Sequence, residues 1–228
     1  MADTITVISS MATRQILNAL IAAYNKTGRS AQLESVGGVD AVKRIRAAEI
    51  FDLVVLTSDA LKALSDDGYV LRDSVRAFAA SPTAVAVPAG TPHPLQCDEA
   101  AIRALVSGAN RIGLSTGPSG KSMTRLLQDW SVLDLGRRTV TALPGVPVAR
   151  LLARGDVDVG FQQLSELLGE PGIEIVGTVP HSLQPMTIFS CAIGRGTADV
   201  AAAQDLMSVF VSDDAATTKR RHGMEPAD

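Results

Sequence analysis

The sequence predicts an α/β protein: mainly parallel sheets flanked by helices. Three observations lead there. Strand-like and helix-like runs alternate from the first residues. The run DLVVL (52–56) is almost continuously apolar, which is how a strand covered on both faces reads. Small polar residues follow each early strand, as Ser9-Ser10, Gly37-Gly38 and Thr57-Ser58. In parallel α/β sheets the carboxyl ends of the strands are where ligands gather.

The elements follow in order. Residues 4–8 form a β-rich run. Residues 12–24 read as a helix, with Ile16, Leu17, Leu20 and Ile21 on one face. A second strand (32–36) ends at Gly37-Gly38. Asp40 is expected to cap the next helix. After the strand at 52–56, Thr57-Ser58-Asp59 opens a third helix carrying Leu61 and Leu64. A new unit begins near Ala84, with a strand at 85–87, a Pro-rich loop and a helix at 99–106. A strand at 111–114 and helices at 122–130 and 148–154 come next. Strands at 156–161, 173–176 and 187–193 follow, and one last helix is expected over 200–219. The basic cluster Lys219 to His222 reads as a helix C-terminus complementing its dipole.

The segment RIGLSTGPSGKSMTR (111–125) carries the most chemistry. A short strand runs into Ser115, Thr116, Gly117, Pro118, Ser119 and Gly120, and the loop opens a helix at Lys121-Ser122. Free N–H groups at a helix start, with a lysine beside them, suit a small anion. A nucleotide-binding P-loop would need glycine where Ser115 stands, and no later strand ends in a magnesium-binding aspartate. Taken alone, the segment fits an anion loop or a plain strand-to-helix turn equally well.

Composition narrows the function classes. Aromatics are 4% of the 228 residues, which argues against a ring-stacking platform for sugars or single-stranded nucleic acid. The net charge of −3 and the lack of a basic stripe argue against a nucleic-acid binder. Cys97 and Cys191 read as two buried thiols, and three scattered histidines lack metal-ligand spacing, so neither a metal nor another cofactor is expected. No run reaches the roughly 20 apolar residues of a membrane helix. The opening MADTITVISS lacks a basic start and apolar run, so a cytoplasmic location is expected of the chain as written, or a periplasmic one if a leader was removed.

The order of these pieces resembles the type II periplasmic-binding-protein family, in particular its molybdate-binding members. The resemblance rests on TVISSMATRQILNAL, VKRIRAAEIFDLVVLTSDALKAL with the following GYV, and RLLARGDVDVGFQQLSELL. It implies two α/β lobes, about 1–83 with 190–228 and 84–189, with the ligand held between them and a hinge near Ala84 and Phe189. An ABC permease is an implied partner only if the chain is exported. The positions of the family's hydroxyl donors fall here on Ala12, on Gly37-Gly38-Val39 and on Gln163, so the molybdate pattern is altered. The run Gly160-Phe161-Gln162-Gln163-Leu164-Ser165-Glu166-Leu167 and the stretch 171–180 also resemble bacterial aconitate isomerases.

Two functions are therefore expected as alternatives. The first is a binder of a small carboxylate or oxyanion. Its donors would be Ser9, Ser10, Gly37, Gly38, Val39, Thr57, Ser58, Ser115, Thr116, Gly117, Ser119, Gly120, Gly145, Val146, Gln162 and Gln163, with Lys121 or Arg14 supplying charge. Arg14 opposes its own helix dipole, which an anion would relieve, though it reads as well as a solvated arginine. The second is an isomerase that shifts a proton in an unsaturated tricarboxylate. Lys121 would serve as base if burial lowered its pKa, with Asp40 a weaker candidate.

Overall fold

The computed structural model describes residues 4–184 and 186–227. In chain order the elements are β1 (Ile5–Ser10), α1 (Arg14–Asn25), β2 (Ala31–Val36), α2 (Gly38–Arg46), β3 (Leu53–Thr57), α3 (Ser58–Asp66), β4 (Arg76–Ser81) and β5 (Thr83–Pro88). Then come α4 (Glu99–Gly108), β6 (Ile112–Leu114), α5 (Pro118–Asp129), α6 (Leu135–Arg138), β7 (Thr139–Thr141), α7 (Val148–Ala153), β8 (Val159–Gln163) and α8 (Leu164–Leu167). The chain closes with β9 (Ile173–Thr178), β10 (Thr187–Ile193), α9 (Val200–Val211), α10 (Ala216–Arg221) and β11 (Glu225–Pro226). It divides into one unit of Met1–Ala80 with Ile188–Asp228 and another of Ser81–Thr187.

The first unit holds a six-stranded sheet in the order β11-β4-β10-β3-β1-β2. β1 pairs in parallel with β2 and β3, while β10 runs antiparallel to β3. Each face carries its own core. Leu53 and Val55 of β3 pack with Leu17, Leu206 and Phe210 on the face of α1 and α9. Val54 and Leu56, the alternate residues, pack with Ala41, Ile45, Leu61 and Leu64 on the face of α2 and α3. Strand periodicity of two sends neighbours to opposite faces, so Leu53 to Leu56 must all be apolar. Each such side chain contributes about 1.5–3 kcal/mol by leaving water.

The second unit holds a five-stranded sheet, β7-β6-β8-β5-β9. β6 pairs in parallel with β7 and β8, and β5 runs antiparallel to β8 and β9. The parallel pairings described thus join three strands in each sheet.

Several expectations are corrected. The single final helix is two, because Ser212 adopts extended dihedrals (φ −67°, ψ 154°) between α9 and a short 3-10 turn. The basic cluster does fall in the last turn of α10, as expected, but within it Lys219 is 2% exposed, with Nζ 5.2 Å from the centre of the Phe78 ring. The helix expected from Ser122 begins at Pro118, whose missing N–H costs nothing in a first turn. Gln162 and Gln163 lie inside β8 instead of after it. Neither Asp40 nor any other side chain caps α2. Gly37 is its N-cap, and Asp40 sits in the first turn, 3.8 Å from Lys43. Both cysteines are free thiols, Cys191 buried and Cys97 half-buried, and burial pushes the Cys191 thiol up to about 12.

Candidate functional site

In the first unit the parallel register brings three loops to one sheet end. Ser9 stands level with Ser35 of β2 and Val55 of β3, so Ser10, Gly37 and Thr57 close neighbouring strands together. Two nine-residue helices start at this end, α2 after Gly37 and α3 after Thr57, and neither start has a side-chain cap. In α2 the backbone bond Ala41 N to Gly37 O (2.9 Å) leaves the N–H groups before Ala41 without helical partners. Asp40 and Asp59 occupy the two first turns and offset part of the positive dipole ends.

The hydroxyls of this end are mostly spoken for. Ser9 Oγ lies 2.8 Å from Ser35 Oγ and donates to the Ser10 carbonyl at 3.2 Å. Ser58 Oγ lies 2.7 Å from Ser190 Oγ. Ser10 differs: it is 7% exposed, and its Oγ has no hydrogen-bond partner. Such a group costs about 1–3 kcal/mol unless something bonds to it. It stands beside the start of α2, where a Cβ added to Gly38 would meet only the Ser10 Cβ, at 3.9 Å. The protein's own packing therefore does not require glycine at 38, whereas a ligand approaching the backbone would. Val39 is 57% exposed at the same helix start, and Arg14 is exposed in the first turn of α1.

In the second unit β6 and β7 end together, with Leu114 level with Thr141 and with Phe161 of β8, which runs two residues further to Gln163. The loop after β6 is partly closed on itself. Ser115 Oγ lies 3.0 Å from Ser119 Oγ and accepts from Gly120 N–H at 3.2 Å, which consumes one helix-start donor. A Cβ on Gly120 would lie 1.8 Å from the Ser115 carbonyl oxygen, so the fold alone demands this glycine. Thr116 and Lys121 are exposed, and Gly117 is half-buried. Gly145 needs glycine for its φ of +76°, and Val146 N–H is bonded to the Leu143 carbonyl at 2.9 Å.

The glutamines that end β8 are buried. Gln162 Oε1 accepts from Val148 N–H at 2.6 Å and so caps α7. Gln163 is 1% exposed. Its carboxamide is satisfied with nitrogen donating to Ser81 O and Ser81 Oγ, both at 3.0 Å, and oxygen accepting from Thr187 Oγ1 at 2.7 Å. Thr83, level with Gln163 in the ladder, and Ser165 carry buried hydroxyls without partners. Sequence reasoning missed these two, and also Ser35, Ser190, Ser81 and Thr187. Ser35 was the easiest of them to find, since it is the last hydroxyl before the Gly37 loop.

The architecture is that of the type II periplasmic binding proteins: two open α/β units built around parallel strands, with short loops and helix starts at the strand tips. Residues 5–225 match the model of the bacterial extracellular solute-binding proteins, and the chain belongs to that family. It is 33% identical over 230 residues to an aconitate isomerase from Pseudomonas sp., covering 98% of this chain and 88% of the relative. Among solved structures it is similar to the periplasmic molybdate-binding protein of Azotobacter vinelandii, with a TM-score of 0.83, 20% identity, and 98% and 100% of the two chains covered. It is also similar to the sulfate-binding protein SubI of Mycobacterium tuberculosis, with a TM-score of 0.74, 16% identity, and 100% and 88% covered. Among the described residues no helix is long and apolar enough to cross a membrane.

Proposed function

We propose that the protein binds a small anion, a carboxylate or an oxyanion, at the loops after β1, β2 and β3. One observation carries this reading: the Ser10 hydroxyl is buried without a partner at a strand tip, beside uncapped N–H groups at the start of α2. A negatively charged oxygen there would satisfy the hydroxyl and the amides together, and charge-assisted bonds are the strong ones. The family and the molybdate- and sulfate-binding neighbours support the same chemistry. Calorimetric titration with molybdate, sulfate, phosphate, citrate and the two aconitates tests it; no saturable heat with any of them removes the proposal.

A second reading is favoured by the relative named an aconitate isomerase. On it, the bound anion is an unsaturated tricarboxylate, and the protein moves a proton within it. Helix starts and cations would stabilise the enolate-like intermediate. Lys121, exposed beside its loop, and Asp40, in the first turn of α2, remain the proton carriers to test. Proton NMR in D₂O separates the readings. Interconversion of cis- and trans-aconitate with deuterium uptake selects the enzyme, and binding without exchange selects the receptor.

A further inference from the structure

The geometry points to a second ligand site in the first unit, at the amino end of β3, that takes a small aromatic monocarboxylate. Ser10 and Thr57 mark the other end of this sheet, so the site shares no residue with the anion loops. A pocket of about 380 Å³ opens there. That volume lies at the lower end of the roughly 300–1,000 Å³ range of small-molecule sites. Its walls include Ile45, Ile50, Phe51 and Tyr69, with Arg195 and Gly196 at one side.

Three features give the pocket a fixed shape. Gly194 N–H donates to the Asp52 carbonyl at 2.9 Å, and Arg195 N–H donates to the Tyr69 carbonyl at 3.0 Å. A Cβ on Gly194 would fall 1.9 Å from the Phe51 carbonyl oxygen, so the strand exit can approach Phe51 only as glycine. Finally, the Arg44 guanidinium lies 5.2 Å from the Phe51 ring centre and holds that ring from one side. The apolar wall therefore does not have to form when a ligand arrives.

Charge selects the ligand class. Glu49, on the pocket wall, is paired with Arg44, which also pairs with Glu34. Arg46 is paired with Asp67 at 2.7 Å. The Asp52 carboxylate accepts from Thr6 and Thr197. Arg195 is exposed and has no ion pair among the described residues. It is the one lining cation left for an incoming anion. Ile50 is 65% exposed at the same mouth, and a ring laid between it and Phe51 would cover it. An apolar ring with one carboxylate matches this pairing of wall and cation.

Titration of ¹⁵N-labelled protein with phenylacetate, followed by amide chemical shifts, tests the site. The amides of Ile50, Tyr69, Arg195 and Gly196 should move saturably, and Arg195→Gln and Ile50→Ser should each weaken binding about tenfold or more. Both side chains are exposed, so neither variant threatens the core. Benzyl alcohol, the uncharged analogue, should bind more weakly than phenylacetate. The assignment fails if no saturable shift occurs at millimolar phenylacetate, or if Arg195→Gln or the alcohol binds equally well. It fails equally if the shifts concentrate after β1–β3, or if the same amides shift with protein concentration alone, which would make the face a contact between copies.

Discussion

Replacing Ser10 by alanine should separate stability from binding. In the free protein the Ser10 hydroxyl is buried and bonds to nothing. Its removal deletes an unmet polar group, whose burial costs about 1–3 kcal/mol, and leaves Ser9, Ser35 and Thr13 with their own bonds. The Ser10 carbonyl still accepts from Thr13 Oγ1 at 3.1 Å, since the substitution leaves the backbone in place. Ser10→Ala should therefore unfold at the same temperature as the parent or higher. Anion affinity should move the other way. A hydrogen bond to a charged group is worth about 1.5–3 kcal/mol, so the dissociation constant should rise by about tenfold to a hundredfold. Differential scanning calorimetry without ligand, and isothermal titration with the anion that binds the parent, give the two numbers. A variant that melts lower and binds as tightly would show that the hydroxyl has an internal role, and the reasoning from its orphaned state would be refuted.

Gly120→Ala should destabilise the second unit by about 1–3 kcal/mol or more, because its methyl group would collide with the Ser115 carbonyl; chemical denaturation checks this. Gln163→Leu should cost about 1–3 kcal/mol by stranding its partners at buried Ser81 and half-buried Thr187, seen as a lower urea midpoint. Burial acts to raise the Asp52 carboxyl, but hydrogen bonds from Thr197 and Thr6 outweigh it and hold it below the usual carboxylate range. Its contribution is then complete above the unfolded value of about 3.9 and is lost as pH falls through the folded value, so Asp52→Asn should flatten the acid limb of a stability–pH curve. Burial holds the Lys219 ammonium below its ordinary range, so the unfolded chain binds the proton more readily and stability rises with pH in that interval. Lys219→Met should accordingly raise the melting temperature more at neutral pH than near about pH 10.4.

Much of the fold was legible because its signals are local. The both-faces-buried strand was readable from DLVVL alone, since alternate residues of β3 had to serve two cores. The Ser9-Ser10, Gly37 and Thr57 loops were legible as strand tips, and parallel pairing then placed them at one end. Less legible were β4, β7 and β11: two of them are no longer than three residues, and β11 is held by pairing with β4. The break at Ser212 carried a signal that went unread, since Ser212-Asp213-Asp214 is the kind of polar run that starts a new helix. Gly120 carried an ambiguous signal, for a glycine that admits a ligand and one that admits a carbonyl look alike in sequence.

By itself the sequence determined the order of strands and helices, the small polar residues at the strand tips and the family, because periodicity and turn chemistry act over a few neighbouring residues. The tertiary structure alone decided that Ser9 meets Ser35, that Ser58 meets Ser190, that Gln162 and Gln163 spend their amides inside the second unit, and that Ser10 is left unpaired. The reason is physical: whether a buried polar atom finds a partner depends on groups as far as 181 residues away along the chain, which only folding brings within bonding distance.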